Sequence, residues 1–238
     1  MDGAEFRVPA PQQLGALLVA DKPSGLLCQP GRGAHLADSL LTRLRKQWPG
    51  AQLVHRLDRD TSGLVLLALD PALHRAISQL FAERLVHKSY RADVLGVPAQ
   101  PAGSIHLPLA RQCRQPPLYG PDPAGKAAHT DWQLLEACAL WSRLELQPHT
   151  GRSHQLRAHL AAIGHPILGD PLYGAQARLD RAPANLNPGV PALRPGVAEN
   201  REASGGPQAT RLRLHATALA FRHPLSGDAL QFHSACPF

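Results

Sequence analysis

The chain has 238 residues, 44% of them hydrophobic, enough to bury a sizeable core in one large domain or at most two small ones. Lys and Arg outnumber Asp and Glu by 25 to 18, an excess compatible with a polyanionic partner that does not by itself name one. The start MDGAEFRVPA has no signal-type apolar core, the run Leu64 to Leu69 is too short to span a bilayer, and Cys28, Cys113, Cys138 and Cys236 form no CxxC pair, so no zinc ribbon or redox motif is indicated and free thiols in a reducing cytoplasm are expected.

Residues 1–13 are polar and Pro-rich and are read as a flexible lead-in. Ala16 to Ala20 is a short apolar run ended by the turn chemistry of DKPSG. Leu36, Leu40, Leu41 and Leu44 recur at helical spacing, which predicts an amphipathic helix over 36–47 stopped by Trp48-Pro49-Gly50. The apolar LVLLAL after Gly63 reads as a buried strand, and Asp70-Pro71 as a helix start with an Asp cap and Pro at the first position. That helix is expected to turn Leu73, Ile77, Leu80 and Leu85 inward. Further strands are expected at Lys88 to Leu95, around Ile105 to Leu109, at His129 to Leu135 and at Leu140 to Leu146. Ser153 is expected to cap a helix through Ile163 that buries Leu156, Leu160 and Ile163. Residues 181–207 hold five Pro and four Gly and read as a poorly packed insertion. Structure is expected to resume at Leu212 to Phe221 and end near Leu230 to Phe232. This mixed order lacks regular βαβ alternation and predicts an α+β fold.

Two segments concentrate polar chemistry. VHRLDRDTSG sets Asp58 beside Arg56 and Arg59 just before a glycine turn and a buried strand; this suits a rigidly held acid at a cleft edge, and equally a solvated connecting loop. HTGRSHQLRAHL sets Arg152, His154 and Arg157 around a helix start, which suits anions, a carboxylate partner, or plain solvent. His149, His154, His159 and His165 are spaced by five, five and six, which shares no helical face, so no metal is expected. Asp58 and Asp60 are aimed differently by strand-like alternation and do not read as paired carboxylates. Tyr90 in KSYRADVLG is a half-buried strand tyrosine or a stacking platform with a hydroxyl. There is no GxGxxG, P-loop or GxSxG.

Taken together, VHRLDRDTSG, DKPSGLL, KSY, TGRSHQLR, GHPILGD and LHATALAFRHP resemble the RluA-type family of pseudouridine synthases, in the family's order and over nearly the whole chain. DKPSGLLCQPGR and DSLLTRLRKQWP resemble most the RluA subgroup, which lacks an S4-type RNA-binding domain and modifies both a transfer RNA anticodon stem-loop and a large-subunit ribosomal RNA hairpin. The Pro/Gly-rich insertion after Tyr173 is longer than the family pattern and bears on substrate choice. The resemblance implies one catalytic domain over 14–238, a mixed, largely antiparallel sheet with flanking helices, and a basic cleft. It implies a monomer that isomerises uridine without cofactor. Asp58 would be the essential carboxylate, Arg152 its partner, and Tyr90 the platform under the uracil, accepting or relaying the C5 proton. The base would be flipped out, with Arg56 filling the gap and Arg59, His154 and Arg157 contacting RNA.

Overall fold

The computed structural model describes residues 11–174 and 209–238. The chain is α+β and divides into two compact units, Met1–Arg91 with Leu214–Phe238, and Ala92–Arg213. The 181–207 insertion lies outside the described residues.

In the first unit, β1 (Gln12–Leu14) and β2 (Leu17–Lys22) form a hairpin whose turn needs Gly15 at φ +57°. The lead-in expected to reach residue 13 therefore ends earlier, because Gln12 and Gln13 already pair with Val19 and Leu18. Beside β2 runs β4 (Ser62–Ala68), antiparallel to it and parallel to β11 (Leu214–Arg222). Successive strand residues face opposite sides, and here both sides are buried. Leu17, Val19, Leu64, Leu66 and Ala68 join one cluster; Leu18, Ala20, Val65 and Leu67 join another. That is why these strands read as unbroken apolar runs. The first cluster is covered by α2 (Pro71–Ala82) through Leu73, Ile77 and Leu80, the second by α1 (Leu40–Leu44) through Leu40 and Leu44. The short β3 (Gln52–Leu53) pairs with the end of β4, and β12 (Ala229–His233) pairs with β11. β5 (His87–Leu95) lies beside β11 and leaves the unit after Arg91.

Two helix expectations are corrected in this unit. The helix placed over 36–47 is only Leu40–Leu44: the Ser39 and Thr42 side chains cap each other's backbone N–H groups and so fix its start, and Leu36 belongs to a preceding 3₁₀ turn, Ala34–Leu36. Leu85 does not face inward. Arg84 takes φ +63° after α2 ends, and Leu85 is left 53% exposed. Asp70 caps α2 as expected, accepting from Ala72 N and Leu73 N.

The second unit holds the rest of β5, then β6 (Ala102–Ile105), the two-stranded sheet of β7 (Leu109–Arg114) and β8 (Pro117–Pro121), β9 (Thr130–Ala137), β10 (Trp141–Pro148) and α3 (Gln155–Ala162). The strand placed at 105–109 is split between β6 and β7, with Pro108 in the break. β9 is flanked by β6 and β10, antiparallel to both. The α3 residues Gln155–Ala161 are all buried, with Ala158 and Ala161 packed on Leu109, Ala128 and Tyr173. Ser153 is not its cap: His154 occupies that position at φ 54°, without a capping side-chain bond. Asp93 is fully buried and pairs with both Arg143 (2.8 Å) and Arg213 (2.9 Å). Among the described residues no helix is long and apolar enough to cross a membrane.

Candidate active site

Asp58 sits half-buried in the loop between β3 and β4, and the residues on either side of it are clamped by the segment that follows β2. Leu57 is buried, and its backbone exchanges two contacts with the Cys28 thiol: Leu57 N donates to Sγ at 3.2 Å and Sγ donates to Leu57 O at 3.3 Å. On the far side, Arg59 O accepts from Lys22 Nζ at 2.8 Å and from Gly25 N at 2.9 Å, and Asp60 O accepts from the Ser24 hydroxyl at 2.6 Å. DKPSGLLC and HRLDRD are thus one interlocked structure, and the backbone at Asp58 has little freedom to move.

Lys22 is the hinge pin of this arrangement and was not singled out by its sequence. Its side chain is fully buried at the end of β2, and Nζ also donates to Pro23 O (2.9 Å) and Leu26 O (2.7 Å). Three carbonyls match the three N–H bonds of an ammonium. Burial draws its pKa down to about 8, while Cys28, Asp60 and Asp58 pull the other way. Nothing in DKPSG displays this burial, since lysine is rarely buried and reads there as an ordinary charge at a strand end.

Behind the loop, His55 Nε2 accepts from Leu66 N at 2.9 Å and its ring stacks on Phe81 at 4.5 Å. Ser62 opens β4 with its hydroxyl 2.9 Å from His215 Nδ1, whose Nε2 is 2.9 Å from Ser234 Oγ; Ser234 in turn donates to Asp21. Gly63 admits no side chain, because a Cβ there would lie 2.3 Å from Ala216 O. The motif's Ser-Gly therefore serves to seat β4 against β11.

Tyr90, on β5, packs half-buried against the cluster of Leu18, Leu26, Leu57 and Leu67. Burial, with a further contribution from the Asp58 charge, pushes its phenol well above the usual tyrosine range. The phenol is neutral near pH 7, so proton acceptance by a preformed phenolate is disfavoured. Arg56 and Arg59 are exposed, and Arg59 pairs with Asp60 at 3.0 Å.

The second predicted segment folds in the second unit. Gln155 is buried and organises it: its Oε1 accepts from Arg152 N (3.0 Å) and the Thr150 hydroxyl (2.7 Å), and its Nε2 donates to His129 O and Thr130 Oγ1. Arg152 Nε donates to Ala127 O at 3.0 Å. His154 Nδ1 lies 3.0 Å from the Tyr173 hydroxyl. Arg157 corrects an expectation. Expected on an RNA-facing surface, it is 2% exposed and makes a bidentate pair with Asp170, both bonds 2.8 Å, over the Tyr173 ring. Asp170 also accepts from Leu172 N and Tyr173 N. TGRSHQLR and GHPILGD are thereby locked together, and the Arg157 guanidinium is committed to the fold rather than to phosphate.

The arrangement in the first unit is a carboxylate on an immobilised loop beside a neutral phenol, with exposed guanidinium groups nearby in sequence. It suits chemistry on a polyanion in which one acid acts in a fixed direction. Comparison with known proteins agrees with this. Residues 16–162 match the family model of RNA pseudouridylate synthases. The dual-specificity RNA pseudouridine synthase RluA of Salmonella typhi is 37% identical over 227 residues, covering 93% of this chain and 90% of the relative. The Yersinia pestis protein of the same name is 38% identical over 227 residues, covering 93% and 96%. Among solved structures, human RNA pseudouridylate synthase domain containing 1 is similar with a TM-score of 0.73 and 26% identity, over 100% of this chain and 87% of that one. Domain containing 4 follows with a TM-score of 0.68 and 28% identity, over 95% and 87%. The chain belongs to the RNA pseudouridylate synthase family, the isomerases that convert uridine in RNA to pseudouridine.

Proposed function

We propose that this chain modifies a uridine in a transfer RNA anticodon stem-loop, a large-subunit ribosomal RNA hairpin, or both, with Asp58 as the catalytic carboxylate. Relatives alike over more than nine-tenths of the chain carry the dual-specificity name, which supports the substrate class. The observation that carries the role of Asp58 is the clamp of Lys22, Ser24, Gly25 and Cys28 on its two flanks. In the reaction the N1–C1′ bond breaks, the uracil turns, and a C5–C1′ bond forms. C5 loses a proton and N1 gains one, so the change is an isomerisation and needs no cofactor. Asp58 acts ionised, either as nucleophile toward the sugar or base, or as base toward a sugar proton. Tyr90 packs on the uracil, and its neutral hydroxyl relays the C5 proton. Arg152 is a third candidate catalytic group. Arg56 occupies the space left by the flipped base, and Arg59 and His154 contact the RNA backbone. The enzyme works as a monomer in the cytoplasm.

The test uses a synthetic anticodon-arm hairpin with the purified enzyme and no ATP or protein partner. The wild type is expected to modify it nearly as well as full transfer RNA. Asp58→Asn is expected to bind the hairpin within a few fold of wild type and to form no pseudouridine. Turnover by the variant at a tenth of the wild-type rate removes Asp58 from its role. A hairpin left unmodified at high enzyme, when assembled ribosomal particles are modified, removes the proposed recognition.

A further inference from the structure

The second unit carries a cluster of ligating side chains that the reaction does not use. β6, β9 and β10 are adjacent, and their registers align residues in rows across the three strands. Asp131 pairs with Ser104 on one side and Gln147 on the other; one step along, Thr130 pairs with Ile105 and Pro148. A further step brings His106, His129 and His149 level, with His149 N donating to His129 O. Because side chains alternate, the histidine row and the Ser104–Asp131–Gln147 row share one face of the sheet.

On that face the three imidazoles stack. His129 lies 3.9 Å from His106 and 4.1 Å from His149, centroid to centroid, with interplanar angles of 23° and 13°. His129 and His149 both aim Nε2 at one carboxylate: His129 at Asp131 Oδ1 (2.9 Å) and His149 at Oδ2 (2.6 Å). The Ser104 hydroxyl donates to Oδ1 and fixes the carboxylate's direction. The ligand atoms of His129, Asp131 and His149 all lie within 4.8 Å of one another. Alongside runs a groove of about 410 Å³ lined by Ser104, Asp131, Gln133, Glu145 and Gln147 among others.

We propose that His129, Asp131 and His149 form a binding site for a divalent first-row transition metal ion of the zinc class. Two converging imidazole nitrogens and one carboxylate oxygen are a three-ligand set that such ions accept, with water completing a tetrahedron from the groove side. Nitrogen ligands disfavour magnesium and calcium, which take oxygen. Ligand atoms around zinc lie roughly 3.3 to 3.5 Å apart, so side-chain movements of about 1 Å convert the hydrogen-bonded cluster into a metal site. Ser104 acts from outside by orienting Asp131. The ion clips the start of β9 to the start of the loop after β10. It is structural and takes no part in the isomerisation. The histidines close in sequence hid this site, since His149 finds its partners across strands rather than along the chain.

The test is calorimetric titration of Zn²⁺ into untagged, chelator-treated protein near pH 7.5, with Mg²⁺ as control. One equivalent of Zn²⁺ is expected to bind, with no heat from Mg²⁺. His149→Ala, at the exposed end of the cluster, and Asp131→Asn are each expected to weaken that site by about tenfold or more. Zn²⁺ is expected to raise the melting temperature of the wild type and not of His149→Ala. Melting of the metal-free variants reports whether they fold, and His149→Ala stands alone if Asp131→Asn does not. Absence of a one-equivalent site in the wild type, or its survival in His149→Ala, overturns the proposal.

Discussion

His55 connects protonation to the loop that carries Asp58, three residues away. Its Nε2 is an acceptor for Leu66 N, a role that only the neutral ring can fill. Burial, aided by the Lys88 charge, lowers its pKa to about 3 from an ordinary 6.5. Between these values the unfolded chain binds the proton and the folded one does not. The stability it contributes is therefore complete above pH 6.5 and is lost as pH falls toward 3. His55→Gln supplies an acceptor oxygen that does not titrate. Urea unfolding at pH 7, 5.5 and 4 is expected to show wild type losing stability relative to this variant; parallel curves would mean that the ring is not held neutral. Arg152 invites a different measurement, since its guanidinium is tied to Ala127 O and its role is proposed from the motif alone. Arg152→Ala is expected to slow turnover at least tenfold while binding the hairpin within a few fold of wild type. Turnover at the wild-type rate assigns Arg152 to another task. The sequence marked Asp58, Tyr90 and Arg152 because several motifs stood in one order. It did not mark Lys22, Cys28 or Gln155, whose importance comes from backbone groups far along the chain that no local pattern displays.

At the scale of elements, the long runs were legible and the short ones were not. LVLLAL and the Asp70-Pro71 start were clear because hydrophobicity and capping agreed there. α1 was overdrawn because Leu36 continued the periodicity past a real cap at Ser39. β8 was missed, as Pro117 and Pro121 at its ends argue against a strand by composition alone. α3 was placed correctly and its surroundings misjudged: its charges suggested a wet face, whereas Arg157 and His159 are buried and fully engaged. Removing one member of a buried pair leaves the other uncompensated, at a cost of about 3–5 kcal/mol. Arg157→Ala is expected to lose stability on that scale in denaturant unfolding. The double change Arg157→Met with Asp170→Leu removes both charges and is expected to lose less. The salt dependence of RNA binding by folded Arg157→Ala should equal that of the wild type. A shallower slope would return Arg157 to the RNA-contacting set.

On the scale of the whole molecule, the two segments flanking residues 175–208 are tied to the same unit. Arg213 N donates to Leu168 O at 2.9 Å, and Arg213 also pairs with Asp93. Gly169 approaches Arg211 so closely that a Cβ would lie 2.0 Å from its carbonyl oxygen. Among the described residues, Leu168–Gly169 and Arg211–Arg213 thus meet directly. Deleting residues 183–206, which leaves 175–182 and 207–208 as a bridge, is expected to preserve the fold, with a melting temperature within a few degrees of the wild type. A large fall would show that the deleted segment contributes to packing. Any change in the preference between transfer RNA and ribosomal hairpins would locate substrate choice there.

β11 has a consequence for how the protein is made. It lies between β4 and β5 in the first unit, yet it belongs to the last 25 residues, Leu214–Phe238. During synthesis the second unit, one unbroken stretch of chain, is complete before the first has its middle strand. Until Leu214 to Arg222 leave the ribosome, β4 has an open edge beside two apolar faces, and Gly63 has no Ala216 to seat against. The loop bearing Asp58 runs directly into that edge, so the proposed catalytic carboxylate is set in place only after β11 has been made. A chain that stops before Leu214 is expected to be inactive as well as short, and its unpaired strand edge and bare apolar faces present a surface that chaperones and proteases recognise.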